Sequence, residues 1–284
     1  TLLLLALAPL AMAQDAQISF KSTQIEPGII MVEAVGGFGG GNMAVITGEK
    51  HVAMIDDSMP PLADSLLAHV RATAGRSVDF MINTHVHGDH TGGNAHFAAG
   101  GTVVFAHENI RRRLVEKPST AGGPDGLPVV TFRDGVTFHL GSIEAQVIHL
   151  PDAHTDGDAI VYFPQANVIH AGDILFHAIF PFIDLDSGGT VDGFIEAQKK
   201  IWSMCDENTR IIPGHGALTD KAGLKADIEM LVEARALVEA LIDEGMDVDD
   251  IVAASPLAKF DSFNWDFITA ERMTRTIHRS LTTD

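Results

Sequence analysis

One cysteine occurs in the 284 residues. A single thiol, Cys205, excludes an internal disulfide and a thiolate metal cluster alike. Cations are scarce too: 19 Lys and Arg stand against 38 Asp and Glu, a formal net charge of −19. Such a surface repels phosphate backbones, so nucleic acid is a poor partner class. Bound divalent cations would offset part of that charge. No apolar run reaches the ~20 residues that span a bilayer. No Gly-x-Ser-x-Gly elbow marks a serine nucleophile, and no repeat or low-complexity linker divides the chain. The run Gly36-Gly37-Phe38-Gly39-Gly40-Gly41 lacks the Lys-Ser/Thr and the following helix of a phosphate-cradling loop.

The composition that remains is globular, 46% hydrophobic and 20% charged, at a length that builds one large domain or two small ones. The run Leu2 to Leu10, followed by Ala11-Met12-Ala13, has the apolar stretch and A-x-A site of a secretory signal. The expectation is a signal peptide over residues 1–13 and one domain over 14–284. The mature protein is then periplasmic or secreted, with no membrane anchor after cleavage. Apolar runs at Ile29–Val35, Met43–Thr47, Val52–Ile55 and Phe80–Ile82 read as strands. Ser58 is placed to cap a helix with Pro60 and Pro61 in its first turn, an apolar stripe at Leu62, Leu66 and Val70, and Gly75 as its stop. Further strands are predicted near 136–139, 143–149, 159–163 and 167–170, then at Ile211-Ile212. A helix with Phe194, Gln198, Ile201 and Trp202 on one face lies between the last two. From about 218 to 284 the segment is predicted helical, with Leu224, Ile228, Leu231, Val238 and Leu241 recurring at helical spacing. Strands alternating with helices predict an α/β fold with helices covering sheets.

The chemistry concentrates in His85-Val86-His87-Gly88-Asp89-His90, which directly follows a strand. In extended chain, residues i and i+2 share a side, so His85, His87 and Asp89 can converge. Gly88 permits a sharp turn that brings His90 round. Imidazole and carboxylate are the ligands that suit Zn²⁺. Three more candidates, His154, Asp173 and His215, each sit where a predicted strand ends, the place where open α/β sheets put their ligands.

His-x-His-x-Asp-His at 85–90, then His154, then Asp173, then Gly214-His215-Gly216, resembles the metallo-β-lactamase superfamily, in order from about Gly28 to Gly216. The resemblance implies a four-layer αββα sandwich with two Zn²⁺ per chain at one edge of two packed sheets. His85, His87 and His154 would hold the first ion. Asp89, His90 and His215 would hold the second, with Asp173 bridging. A bridging Asp is the glyoxalase II-like arrangement. The better-known zinc β-lactamases carry Cys or Ser there, a departure that touches the substrate rather than the fold.

The implied activity is hydrolysis of a small-molecule carbonyl compound by a hydroxide shared between the ions, with Asp89 orienting the nucleophile and handling its proton. β-Lactam ring opening is the expected reaction, because the leader points outside the cytoplasm, where glutathione thioesters are scarce. Thioester or lactone hydrolysis, of the glyoxalase II or acyl-homoserine lactonase type, is the alternative. A mononuclear iron persulfide dioxygenase is a further one. Phe38, at the tip of the glycine-rich loop, and Phe182 are the candidate substrate contacts. Asn264 and Trp265 are placed at the pocket rim. Asp56 and His170 are candidates for orienting a ligand. The pattern sets no oligomeric state.

Overall fold

Two β-sheets pack face to face in the structure, a computed structural model that describes residues 18–283; the signal-like segment over 1–13 lies outside them. The first sheet holds seven strands in chain order: β1 (Ser19–Glu26), β2 (Ile29–Val35), β3 (Met43–Thr47), β4 (Val52–Ile55), β5 (Phe80–Ile82), β6 (Val103–His107) and β7 (Val130–Phe132). The second holds six: β8 (Gly135–Leu140), β9 (Ile143–His149), β10 (Ala159–Phe163), β11 (Val168–Phe176), β12 (Arg210–His215) and β13 (Thr219–Asp220), in the order β13-β12-β11-β10-β9-β8.

The central strands β3, β4, β10 and β11 are apolar almost throughout because there each sheet is covered on both faces. Ile29, Met31, Ala44, Ile46, Ile55 and Ile82 point inward, where they meet Phe138, Val147, Val161, Phe163 and Ile212 of the second sheet. Their neighbours Val32, Val45 and Met54 point outward against Leu66 and Val70 of α1 (Ala63–Ala74) and Phe97 of α3 (Asn94–Ala99); α2 is the single turn Gly88–Thr91 between them. A fourth helix, α4 (Glu108–Glu116), buries Ile110 and Leu114 beside Ala106. On the other side, Ile160, Ile169 and Ala171 pack against Ala197 and Ile201 of α5 (Val191–Met204) and Leu224 of α6 (Lys221–Asp243). That completes the αββα sandwich predicted above. The remaining helices, α7 (Val248–Ala254) and α8 (Ala270–Thr282), share a separate core with α5, α6 and the segment around Phe180.

Several local expectations change. Ser58 is not the helix cap. Its φ of 66° is unlike an N-cap, and its hydroxyl donates instead to Gly39 O in the glycine-rich loop. Pro60–Leu62 forms a 3-10 turn, and α1 begins after it without a side-chain cap. Trp202 leaves the buried face of α5 and is 38% exposed, with Lys221 Nζ 4.8 Å from its ring centroid. Strands β1 and β7 and helix α3 were not predicted, being short or weakly patterned, whereas α7 falls within the segment predicted helical over about 218–284. Gly75 does end α1, at φ 71°.

β4, β5 and β6 run parallel, as do β11 and β12, while β10 is antiparallel to both β9 and β11. The carboxyl ends of β4, β5, β9, β11 and β12 therefore gather the chain's polar segments along one edge.

Candidate metal centre

Chain direction alone delivers the ligand types to that edge. After β5 the chain bends over Thr84–Val86 and is extended again at His87 (φ −70°, ψ 150°), and His85 and His87 come to one place. At Gly88 it enters the helical turn α2, which swings Asp89 and His90 to a second place. Gly88 has no left-handed φ, and a Cβ there would meet Thr120 at an ordinary 3.5 Å. The bend therefore does not depend on glycine, contrary to the sequence expectation. Asp173 lies inside β11 rather than past its end. The register between β11 and β12 slips on either side of Gly172, whose φ is 51° and whose missing Cβ would collide with Thr84 Cβ at 2.8 Å. That irregularity turns the Asp173 carboxylate into the cluster.

The seven predicted residues assemble as two groups, His85, His87, His154 and Asp173, and Asp89, His90 and His215. Asp173 touches both. Its Oδ1 lies 3.1 Å from His90 Nε2, and its Oδ2 lies 3.4 Å from His215 Nε2 and 3.6 Å from the Nε2 atoms of His85 and His154. Asp173 is at 4% exposure and His85, His90 and His154 at 1% or less, while His87, Asp89 and His215 are partly exposed.

The outward nitrogens settle the tautomers. His87 Nε2 faces Asp184 Oδ2 at 2.9 Å, His90 Nδ1 faces Asp56 Oδ2 at 2.7 Å, and His154 Nδ1 faces Phe182 O at 2.7 Å. Each outward nitrogen donates, so in the neutral ring each inward nitrogen presents a lone pair. Yet His87 Nδ1 and His154 Nε2 stand 2.8 Å apart, and His90 Nε2 and His215 Nε2 stand 3.5 Å apart. Buried His85 Nε2 and Asp173 Oδ1 have no hydrogen-bond partner. Lone pairs aimed at one another, with orphaned polar atoms among them, are costly in a buried site unless a cation lies between. The donor set therefore fits divalent metal ions.

Without ions, the chain leaves some of these rings neutral and charges others. Burial and the neighbouring His90 hold His85 well below its ordinary value, and burial with His87 holds His154 at about 3. Burial also opposes charge on His215, but Asp173 overrides it and lifts that imidazole to about 9. Burial likewise favours a neutral Asp173; the cations at His90 and His215 outweigh it and keep the carboxyl well below its usual range. Perturbations this dense mark a functional site.

Of the orienting candidates, Asp56 reaches the cluster. It is fully buried at φ 58°, accepts from Thr84 N and Oγ1, and bonds His90 Nδ1. His170 does not reach it; its Nε2 lies 3.2 Å from Asn42 O. Asp184 was missed as an orienting group, since no local pattern joins it to a histidine 97 residues away. Asp56→Ala is expected to weaken metal binding roughly 10- to 100-fold, the usual effect of losing a group that orients a ligand. Zinc titration of metal-stripped protein against a chelating dye measures this. An unchanged affinity would remove Asp56 from that role.

A cavity of about 610 Å³ opens beside the cluster. Phe38, Phe176, Phe182, Trp265 and Phe267 form its apolar wall, and Asp89 and Asp266 are its carboxylates outside Asp173. Both predicted substrate contacts, Phe38 and Phe182, line it, and so does Trp265. Asn264 does not; its Oδ1 accepts from Ala270 N at the start of α8. No Lys or Arg lines the cavity. Arg272 stacks on Phe267 at 4.1 Å, donates to Phe267 O and stays outside the lining.

Known proteins share this architecture. A metallo-β-lactamase from Pontibacter korlensis superposes with a TM-score of 0.64 at 19% identity, covering 75% of this chain and 99% of that one. A hydroxyacylglutathione hydrolase of Methylococcus capsulatus is 34% identical over 118 residues, 41% of each protein. A metallo-β-lactamase of Chryseobacterium indologenes is 24% identical over 236 residues, 79% of this chain and 93% of that protein. The matches to the hydroxyacylglutathione hydrolases of M. capsulatus and Rhodospirillum rubrum span only 41% and 43% of those relatives' lengths. The family model for the metallo-β-lactamase superfamily matches residues 36–233, the span that carries both sheets' central strands and every residue of the two groups. By fold, by ligand pattern and by this match, the chain belongs to the metallo-β-lactamase superfamily.

Proposed function

We propose that the protein is a two-zinc hydrolase of uncharged, apolar carbonyl compounds, an ester or a lactone. The observation that carries the substrate is the cavity wall: five aromatic rings and no Lys or Arg. Penicillins, cephalosporins and glutathione thioesters all carry carboxylates. Here a carboxylate finds no Lys or Arg in the wall, and it finds Asp266 instead. Desolvating an unpaired anion is costly, whereas burying an apolar group against aromatic rings returns about 25 cal/mol per Å². On this ground we favour a lactone, from the thioester-or-lactone alternative, or a neutral ester over the expected β-lactam. A one-ion dioxygenase would leave Asp89, His90 and His215 without a use.

His85, His87 and His154 would hold one ion, Asp89, His90 and His215 the other, and Asp173 both. When bound, such ions supply Lewis acidity toward a carbonyl oxygen and a water of lowered pKa. The chain does the rest. Asp184, Asp56 and the Phe182 carbonyl keep three imidazoles in the tautomer that turns a lone pair inward. Phe176, Phe182 and Trp265 seat the apolar part of the substrate over the cluster and exclude water from it. Asp89, 21% exposed and facing the cavity, orients the attacking water and takes its proton at the carboxylate. Work in the periplasm or outside the cell rests on the leader-like residues 2–13 alone.

The test is steady-state hydrolysis, by one zinc-loaded preparation, of phenyl acetate, an acyl-homoserine lactone, a penicillin, a cephalosporin and lactoylglutathione. The expected result is a kcat/KM at least about a hundredfold higher for a neutral substrate, on the order of 3 kcal/mol of discrimination. A β-lactam or lactoylglutathione within tenfold of the best neutral substrate would sink the reading.

A further inference from the structure

His215 differs from the other histidines of the cluster. The outward nitrogens of His85, His87, His90 and His154 each meet an oxygen: Thr84 Oγ1, Asp184, Asp56 and Phe182 O. His215 Nδ1 has no such partner among the described residues. Its ring is held by packing, stacked on Phe176 at 5.0 Å and 17° and flanked by Phe38 at 6.1 Å and Trp265 at 6.2 Å. Its backbone is held from two sides. Asn42 Nδ2 donates to Pro213 O and Gly216 O, and Asn42 N donates to Gly214 O. From the other side, His177 N donates to His215 O at 2.9 Å. The approach is close enough that a Cβ on Gly216, at φ 101°, would lie 2.6 Å from His177 O.

His177 is itself fixed from a distance. It follows Phe176, so the turn at His177-Ala178 places both the ring on which His215 stacks and the amide that bonds it. Ala178 in that turn has φ 60°, a left-handed conformation unfavourable for a residue with a side chain. Such a turn persists only if its surroundings hold it. Asp227, buried at 3% exposure in α6, does so with both oxygens: Oδ1 accepts from Ala178 N at 3.0 Å and Oδ2 from His177 Nδ1 at 2.8 Å. Among the described residues no other acidic group is paired with His177.

We infer that Asp227, on a helix outside the metal cluster, is a positioning residue for the second metal position, acting through the His177-Ala178 turn on the backbone and ring of His215. This rests on the two-ion reading and adds a ranking to it. The ligand held by packing is the one most sensitive to a change in the C-terminal helices, so the ion at Asp89, His90 and His215 is the one Asp227 controls.

The experiment is a zinc titration of the metal-stripped full chain against a chelating dye, together with amide hydrogen exchange at His177 in the stripped protein. In Asp227→Ala the first ion should bind as in the parent. The second should bind about tenfold more weakly, the low end of what losing an orienting group costs. The His177 amide should exchange faster. Asp227→Asn keeps an acceptor for Ala178 N and a partner for His177 Nδ1, so it should restore the second ion to within about threefold and restore the exchange protection. Should Asp227→Ala fail to fold, His177→Ala removes one limb only and should shift the second ion in the same direction. Parent-like affinity for both ions in the alanine variants, or unchanged exchange at His177 in Asp227→Ala, overturns the proposal. A parent that binds one ion overturns the two-ion reading instead, and the exchange at His177 then decides whether Asp227 holds the turn.

Discussion

Replacing Asp173 with alanine is expected to abolish turnover while leaving the fold standing. The carboxylate is in contact with both halves of the cluster, 3.1 Å from His90 Nε2 and 3.4 to 3.6 Å from those of His215, His85 and His154. It is also the buried negative charge that offsets His90 and His215 in the chain alone. Without it, like-charged or lone-pair-bearing imidazoles face one another across the site, and the two ions proposed above would lose their common ligand. The core does not depend on it, because the residues that seal the two sheets, from Ile29 to Ile212, make their contacts elsewhere. A fall in kcat/KM of about a thousandfold or more is expected, on the order of 4 kcal/mol of transition-state stabilisation. The melting temperature of the stripped variant should move by only a few degrees. Asp173→Asn keeps the shape and removes the charge, and it should bind at most one ion tightly. Activity of Asp173→Ala within tenfold of the parent would take Asp173 out of the site.

Metal removal is expected to cost the parent protein a large part of its thermal stability. Seven side chains of ligand type converge within the cluster, and they include the buried His85, whose inward Nε2 has nothing to bond. Folding the stripped chain brings those groups together against their mutual repulsion, whereas an ion binds only the folded arrangement. Each ion present at a hundred times its Kd stabilises by about 2.7 kcal/mol, so two contribute roughly 5 kcal/mol. At about 2–4 °C per kcal/mol for a chain of comparable size, chelation should lower Tm by roughly 10–20 °C. Calorimetry with excess zinc and with excess chelator measures it, with metal content by elemental analysis expected at two per chain. A Tm that is the same within about 2 °C in both solutions would mean the cluster is satisfied without ions.

The ligand groups could be read in the sequence because their signals are local. Val52–Ile55, Phe80–Ile82 and Ile211-Ile212 are short apolar runs bounded by polar residues, so their strands and strand ends follow from period and punctuation. His85, His87, Asp89 and His90 lie within six positions, and backbone geometry brings neighbours so close in sequence to one place whatever the rest of the fold does. Asp173 shows the limit of this reasoning. Its residue type and neighbourhood were legible, but its place inside β11 depends on a register slip against β12 that no single segment encodes.

The sequence by itself determined which residue types meet and at which edge: imidazoles and carboxylates at the carboxyl ends of apolar strands, in a chain of formal net charge −19. Only the tertiary structure decided how each ligand is oriented and what the cavity accepts. Asp56 holds His90 across 34 residues, Asp184 holds His87 across 97, and Asp227 holds His177 across 50. The cavity wall joins Phe38 from one end of the chain to Trp265 and Phe267 from the other. Contacts between residues so far apart are set by how sheets and helices stack, through hydrophobic packing that accepts many sequences. The pattern around any single residue therefore carries no trace of its distant partner.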